Sequence, residues 1–268
     1  MKILRKIILI ILFVPFIHAC SLLESIDTGN PLSDSEIIEG LRTALLVGTD
    51  SSVSVVSSLN GFYKDEAIKI LLPPEADIIY QYQAQYNELF TAIGLDKKLE
   101  DAIKAINYAA EDAAKEAGPI FKSAITDLSI TDGLAILNGT NPAGAKKAGG
   151  FDSTAATSYL RSTTYTELSS AFSPKINTSL DKKLIGEFSP NQIWNTLTTS
   201  YNTVANSSFG FIEPIATTNL GTYVTEKALD GLFVKVADQE KEIRKDPLKW
   251  ASTAVGNILE RVFGNSEK

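Results

Sequence analysis

Between residues 33 and 262 the apolar side chains recur three and four positions apart, and almost nowhere every second position. That spacing commits the chain to helices and leaves nothing from which to build a sheet. The clearest stripe is Leu95, Leu99, Ile103, Ile106, Ala110, Ala113 and Ala117, stopped by Gly118-Pro119. Ahead of it, Ser33 or Asp34 caps a helix with Ile37, Leu41, Ala44 and Leu45 inward and Gly48 as its end. Thr49 or Asp50 then caps a short second helix through Val53 and Val56. Residues 67–72, ahead of Pro73-Pro74, read as an extended segment or a short strand, and Pro74 opens a helical run through Ile79, Tyr82, Tyr86 and Ile93. Phe121, Ala124, Ile125 and Leu128 make a short helix, and Thr131-Asp132 caps another through Leu134 and Leu137. The Gly-, Ala- and Asn-rich run 138–150 has no apolar period and is the longest loop. Ser153 starts a helix through Tyr159, Leu160 and Leu168, and Pro174 sits at the first turn of the following one. Ile193, Trp194, Leu197 and Tyr201 form a further stripe, and Val224, Ala228, Leu232 and Val236 open a long helix to Arg244. Asp246-Pro247 then caps a last one with Leu248, Val255, Ile258 and Val262 inward. About eight or more helices on short loops predict one all-α domain over residues 32–264.

The first residues follow a different logic. Met1 to Lys6 carry Lys2, Arg5 and Lys6, and residues 7–17 are almost wholly apolar. A basic start followed by about eleven apolar residues is the pattern of a secretory signal; a spanning helix needs about twenty. The segment closes in Ile17-His18-Ala19-Cys20, which resembles a bacterial lipobox, with His18 an unusual occupant of its place. Residues 1–19 are therefore expected to be a lipoprotein signal peptide, Cys20 the lipidated first residue, and 20–31 a polar tether broken by Gly29-Asn30-Pro31. Ser21 to Pro31 reach about 35 Å at full extension. The expected partner is a membrane, held through acyl chains on Cys20 at about 0.8 kcal/mol per buried CH₂. Ser21 after the cysteine, rather than Asp, resembles the sorting signal for an outer-membrane destination facing the periplasm.

The chain holds one His and one Cys, His18 and Cys20. Once 1–19 are removed, no imidazole and no free thiol is left for Ser-His-Asp triads, Cys-His dyads, His-ligated metals or intrachain disulfides. No metal or cofactor is expected. The same cut takes out three cations and no anion, leaving 22 Lys+Arg against 32 Asp+Glu, a net charge of −10. An acidic body is repelled by phosphate backbones, so nucleic acid is not an expected partner.

Six strings carry a resemblance to a known family: LSDSEIIEGLRTAL (32–45), GFYKDEAIKILLPPE (61–75), DGLAILNG (132–139), ATSYLRSTTYTELSSAF (156–172), YVTEKALDGLF (223–233) and EKEIRKDP (240–247). Together they resemble the uncharacterised bacterial lipoprotein family catalogued as domain of unknown function 4197. Leu71 departs from the pattern, where a Pro is expected, as does the long 141–150 loop. The resemblance implies a helical, lipid-anchored envelope protein and brings no catalytic residue with it.

Three groups of residues are candidates for chemistry or binding. Glu226 and Asp230 lie four apart on one helix face with Lys227 between them, the arrangement a carboxylate-dependent hydrolase of cell-wall glycan or lipid would use. The simpler alternative is a solvated or ion-paired face opposite Val224, Ala228 and Leu232. Ser179 and Lys182 have Ser-x-x-Lys spacing but lack the Lys-Thr-Gly and Ser-Asp-Asn companions of penicillin-binding enzymes. Glu111, Asp112, Lys115 and Glu116 read as the wet side of an Ala-rich helix. Trp194, Tyr201, Phe209 and Phe211 are candidates for a surface that takes an apolar ligand or partner protein, with residues 206–214 an aromatic loop either packed on the core or standing out as a lip. The expected function is a non-enzymatic, lipid-anchored binding or structural module.

Overall fold

The structure, a computed structural model, describes residues 33–92, 94–140, 150–215 and 219–250. The signal segment, Cys20, the tether, most of the 138–150 loop and the helix expected over 248–262 lie outside those residues, apart from its first turn. In chain order the helices are α1 (Asp34–Val56), α2 (Asp77–Gln85), α3 (Asn87–Ala92), α4 (Leu95–Ala114), α5 (Ala117–Thr126), α6 (Ile130–Leu137), α7 (Ala155–Asp181), α8 (Pro190–Ser207) and α9 (Leu220–Lys245). Short 3₁₀ turns cover Pro74–Ala76 and Pro247–Trp250. No strand occurs among the described residues, only the isolated bridge Ile185 to Phe188. The helices pack in the order α1, α9, α7, α4, α8, with α5 and α6 laid across α1 and α7. The fold is all-α, and all described residues fall in one unit.

Several boundaries differ from the sequence expectation. α1 runs through Gly48 rather than ending there. Thr49 and Ser52 return their hydroxyls to the carbonyls of Leu45 (2.7 Å) and Gly48 (2.6 Å), so neither acts as a start signal. Gly48 is instead where α9 crosses, since a Cβ there would lie 3.5 Å from the Cβ of Gln239. α7 likewise runs through Pro174. The ring removes one backbone rung, but Leu168 and Phe172 before it and Ile176 and Leu180 after it form a continuous buried row that holds the helix together. The run from Pro74 breaks at Tyr86 (φ −127°, ψ 42°), and α6 is capped by Ser129, which accepts from the Asp132 N–H (3.2 Å), not by Thr131-Asp132.

Two buried carboxylates hold the helices to one another. Glu240 of α9, 8 % exposed, accepts the N–H groups of Ala156 (3.1 Å) and Thr157 (2.8 Å) and the Thr157 hydroxyl (2.7 Å), capping α7 from another helix. Arg244, one turn on, pairs with the same carboxylate at 2.8 Å and donates to the Ile136 carbonyl (3.1 Å) near the end of α6. Glu111 of α4 is also buried, at 4 % exposure, which overturns its placement on a wet face. It accepts the N–H groups of Asn60 (3.0 Å), Phe62 (3.1 Å) and Tyr63 (3.2 Å).

Those contacts fix the irregular stretch 57–73, which forms no strand. Asn107, one turn before Glu111, accepts from the Ile70 N–H (2.9 Å) and donates to its carbonyl (2.7 Å), satisfying the backbone as a neighbouring strand would. From α9, the Tyr223 hydroxyl donates to the carbonyls of Leu71 (3.0 Å) and Leu72 (3.3 Å), and Lys235 pairs with Asp65. Gly231 makes room for this stretch: a Cβ would lie 2.8 Å from the Phe62 ring and 3.1 Å from the Ile68 Cβ. The glycine thus serves a helix-to-loop contact.

Gly231→Ala tests this packing. Helix propensity alone favours Ala by about 1 kcal/mol, whereas overpacking against the fully buried Phe62 costs about 1–3 kcal/mol. The urea midpoint is expected to fall; a raised midpoint would show that the contact yields freely.

Candidate functional site

The least explicable residues for folding are Phe209 and Phe211, 97 % and 84 % exposed. They sit on a tight turn after α8 in which the Phe211 N–H donates to the Ser208 carbonyl (3.2 Å). The two central residues have φ of +56° (Phe209) and +88° (Gly210). Glycine adopts that region freely, but a bulky residue is strained there by about 1–3 kcal/mol. Phe209 therefore bears strain and returns no buried area to the fold. Such a combination makes Phe209 the candidate for contact with something outside the fold.

The turn is held from three sides. The Ser208 hydroxyl donates to Ala205 (2.6 Å) and accepts from the Ile212 N–H (2.9 Å). Asn202 of α8 clamps Ile215, accepting its N–H (2.8 Å) and donating to its carbonyl (3.1 Å). Across the fold, the Tyr82 hydroxyl of α2 donates to the Phe211 carbonyl (2.9 Å), and the Tyr82 ring stacks on Tyr86 with centroids 6.1 Å apart. Tyr86 is itself 43 % exposed. Phe209, Phe211, Tyr82 and Tyr86 thus make an aromatic lip from two distant parts of the chain.

Trp194 and Tyr201, grouped with this surface by sequence, are 4 % and 3 % exposed. They belong to the interior because the α8 stripe that carries them faces α4. The Tyr201 hydroxyl finds no hydrogen-bond partner among the described residues. Burial pushes its pKa up to about 12, with Tyr82 and Glu213 nearby adding to the effect.

One of the two acidic candidates is already engaged. Asp230 forms an ion pair with Arg161, whose guanidinium lies 4.7 Å from the Tyr165 ring centroid and 5.3 Å from that of Phe233. Glu226 and Lys227 are exposed. Ser179 and Lys182 do approach one group, but it is Asp112: the Ser179 hydroxyl donates to it at 2.9 Å and Lys182 at 2.6 Å, with Lys115 at 3.0 Å. Lysine engaged by a carboxylate is in no position to deprotonate Ser179. Nor is Asp112 on a wet face, being 16 % exposed.

Two open clefts and one small cavity are described. A cleft of about 630 Å³ is lined by Tyr63, Tyr80, Asp96, Lys97 and Glu100, and one of about 530 Å³ by Pro119, Ser123, Asp127, Tyr159 and Leu168. A cavity of about 10 Å³, room for one water, lies between α1 and α9 beside Glu240. None is lined by Glu226 or Asp230. No group of three or more His, Cys, Asp or Glu is placed to hold a metal among the described residues. Asn107, Glu240 and Arg244, together with Glu111, whose burial the spacing did not reveal, are the polar groups that hold the helices and the 57–73 stretch together. The available signal was a polar or charged residue set inside an otherwise apolar helix face.

Two measurements check these assignments. Burial by itself would raise the Asp112 carboxyl, but hydrogen bonds from Lys182, Lys115 and Ser179 outweigh it and hold the pKa at about 2, below the ordinary 3.8. With the folded value depressed, this group stabilises the protein fully above about pH 4 and loses that contribution as pH falls from 3.8 through 2. Asp112→Asn is expected to remove on the order of 2 kcal/mol at pH 7 and to flatten that part of the acid limb in denaturant titrations. For the lip, Asn202→Ala removes both bonds to Ile215. Amide exchange at residues 208–215 is expected to speed up about tenfold, while α4 and α9 stay protected; unchanged exchange would show that the clamp is idle.

No curated protein and no solved structure matches the chain. A family model does, over residues 31–264, and it spans α1 to α9 together with all six strings noted above. The chain belongs to the family described as protein of unknown function DUF4197.

Proposed function

We propose that this protein is a lipid-anchored, non-enzymatic binding module of the bacterial cell envelope, tethered by acyl chains on Cys20 to the periplasmic face of the outer membrane. The aromatic lip is its contact edge. Phe209 carries the binding role: a phenylalanine 97 % exposed on a left-handed backbone, braced through Asn202 and Tyr82, has no use inside the fold. Support for the anchor is the basic and apolar start closing on Ile17-His18-Ala19-Cys20, with Ser21 after it. No helix among the described residues is long and apolar enough to cross a membrane. The carboxylate hydrolase gains no support, since Asp230 is engaged by Arg161 and Glu226 stands in water.

Replacing Cys20 with Ala and fractionating cells tests the anchor. The wild-type chain is expected in the membrane fraction with acyl mass on its first residue. The variant is expected to lose that mass and to keep its signal segment uncleaved. An unmodified Cys20 in the wild-type chain would end the anchored reading.

A further inference from the structure

We propose that the occupant of the aromatic lip is the lipid bilayer itself, with Phe209 and Phe211 inserted among the acyl chains and Tyr82 and Tyr86 at headgroup level. The proposal rests on the anchored reading above and deepens it: the lip would set which face of the tethered domain meets its membrane.

The residue types suit that depth. Phenylalanine belongs with hydrocarbon, whereas tyrosine, with one wet end, concentrates at membrane interfaces. Here the two phenylalanines stand at the tip of the turn, and the tyrosines lie behind it through the Tyr82 to Phe211 bond. Charge narrows the choice further. Residues 70–96, which contain α2 and α3, hold no Lys or Arg, and neither do residues 184–226, which contain α8 and the turn. A surface built to read phosphates or acidic peptides would carry cations. Neither of these segments supplies any, and the charges nearest to the rings along the chain are the anions Glu88 and Glu213. What remains is an uncharged apolar phase that pays no attention to salt.

Reach supplies the remaining argument. Two phenyl rings are too few to recruit a free protein to a bilayer. A domain held by a tether of residues 21–32, at most about 40 Å long, meets its own membrane at high effective concentration. Under that condition a shallow apolar contact decides orientation. The braced turn presents both rings already ordered, so insertion loses little further conformational entropy.

The lone cysteine makes the test clean. In the acylated chain the Cys20 sulfur is blocked, so Phe209→Cys introduces the single free thiol for a nitroxide label. A label at Lys241→Cys serves as control; it lies on the exposed side of α9, 21 residues from the helix start and so about 30 Å along its axis. The acylated full chain is reconstituted into vesicles of phosphatidylcholine and phosphatidylethanolamine, and the label's collisions with oxygen and with a water-soluble nickel chelate are compared. The label at 209 is expected to show several-fold more oxygen and less nickel contact than the label at 241, equally at 0.1 and 1 M salt. Water-like values at 209 overturn the proposal. So does a label already immobilised in the solubilised chain without vesicles, because a protein surface would then cover the lip; dependence on protein concentration would identify a second copy. Intact mass of the same sample reads the anchor separately. An unacylated chain removes the anchored reading and this proposal with it, whereas an acylated chain with a wet label overturns the lip alone.

Discussion

Glu240 is the charge on which the helical packing turns. Its carboxylate occupies the place where α7 exposes its first unpaired N–H groups, so α9 caps α7 from outside α7's own sequence. Leaving a buried carboxylate there alone would be strongly unfavourable. Arg244 balances it within the same helix and carries the link on to the Ile136 carbonyl of α6. Three helices from three regions of the chain therefore meet at one ion pair. α1 packs beside it, leaving a small cavity between α1 and α9.

A second set of polar contacts solves the problem of the irregular segment 57–73. A loop laid against a core must have its backbone groups satisfied. α4 supplies Asn107 and Glu111 for that purpose, and α9 supplies the Tyr223 hydroxyl and the missing side chain of Gly231. This accounts for two of the strings by which the family is recognised. GFYKDEAIKILLPPE is the segment being held, and YVTEKALDGLF is part of what holds it. Their residues are framework, and so are Glu240 and Arg244 in EKEIRKDP.

Once the framework charges are accounted for, the aromatic lip stands apart. Phe209 and Phe211 bury almost nothing and Phe209 sits on a strained backbone, yet Asn202 and Tyr82 hold the turn in place. Ion pairs occupy Asp112 and Asp230, removing the two carboxylates nearest to any suggested chemistry. Those polar groups thus serve the architecture, whereas the Phe209 and Phe211 rings serve no contact within the fold.

Much of the fold was legible in the chain because a period of three and four needs only neighbouring residues. The stripes of α4, α8 and α9, the all-α class and the exposed 206–214 loop as one of two alternatives follow from it. Whether Gly48 or Pro174 ends a helix depends on what packs against it: α9 crosses at Gly48, and the buried row on either side of Pro174 carries α7 through. The same holds for the charges: Glu111 and Glu226 look alike in sequence, but one lies under the 60–63 backbone and the other in water. Trp194, Tyr201, Phe209 and Phe211 are equally aromatic on paper, and only their placement on the inward face of α8 or at the tip of the following turn separates core from surface. Local spacing determined the helices; burial, which depends on partners far along the chain, decided which side chains hold the fold and which remain free to act.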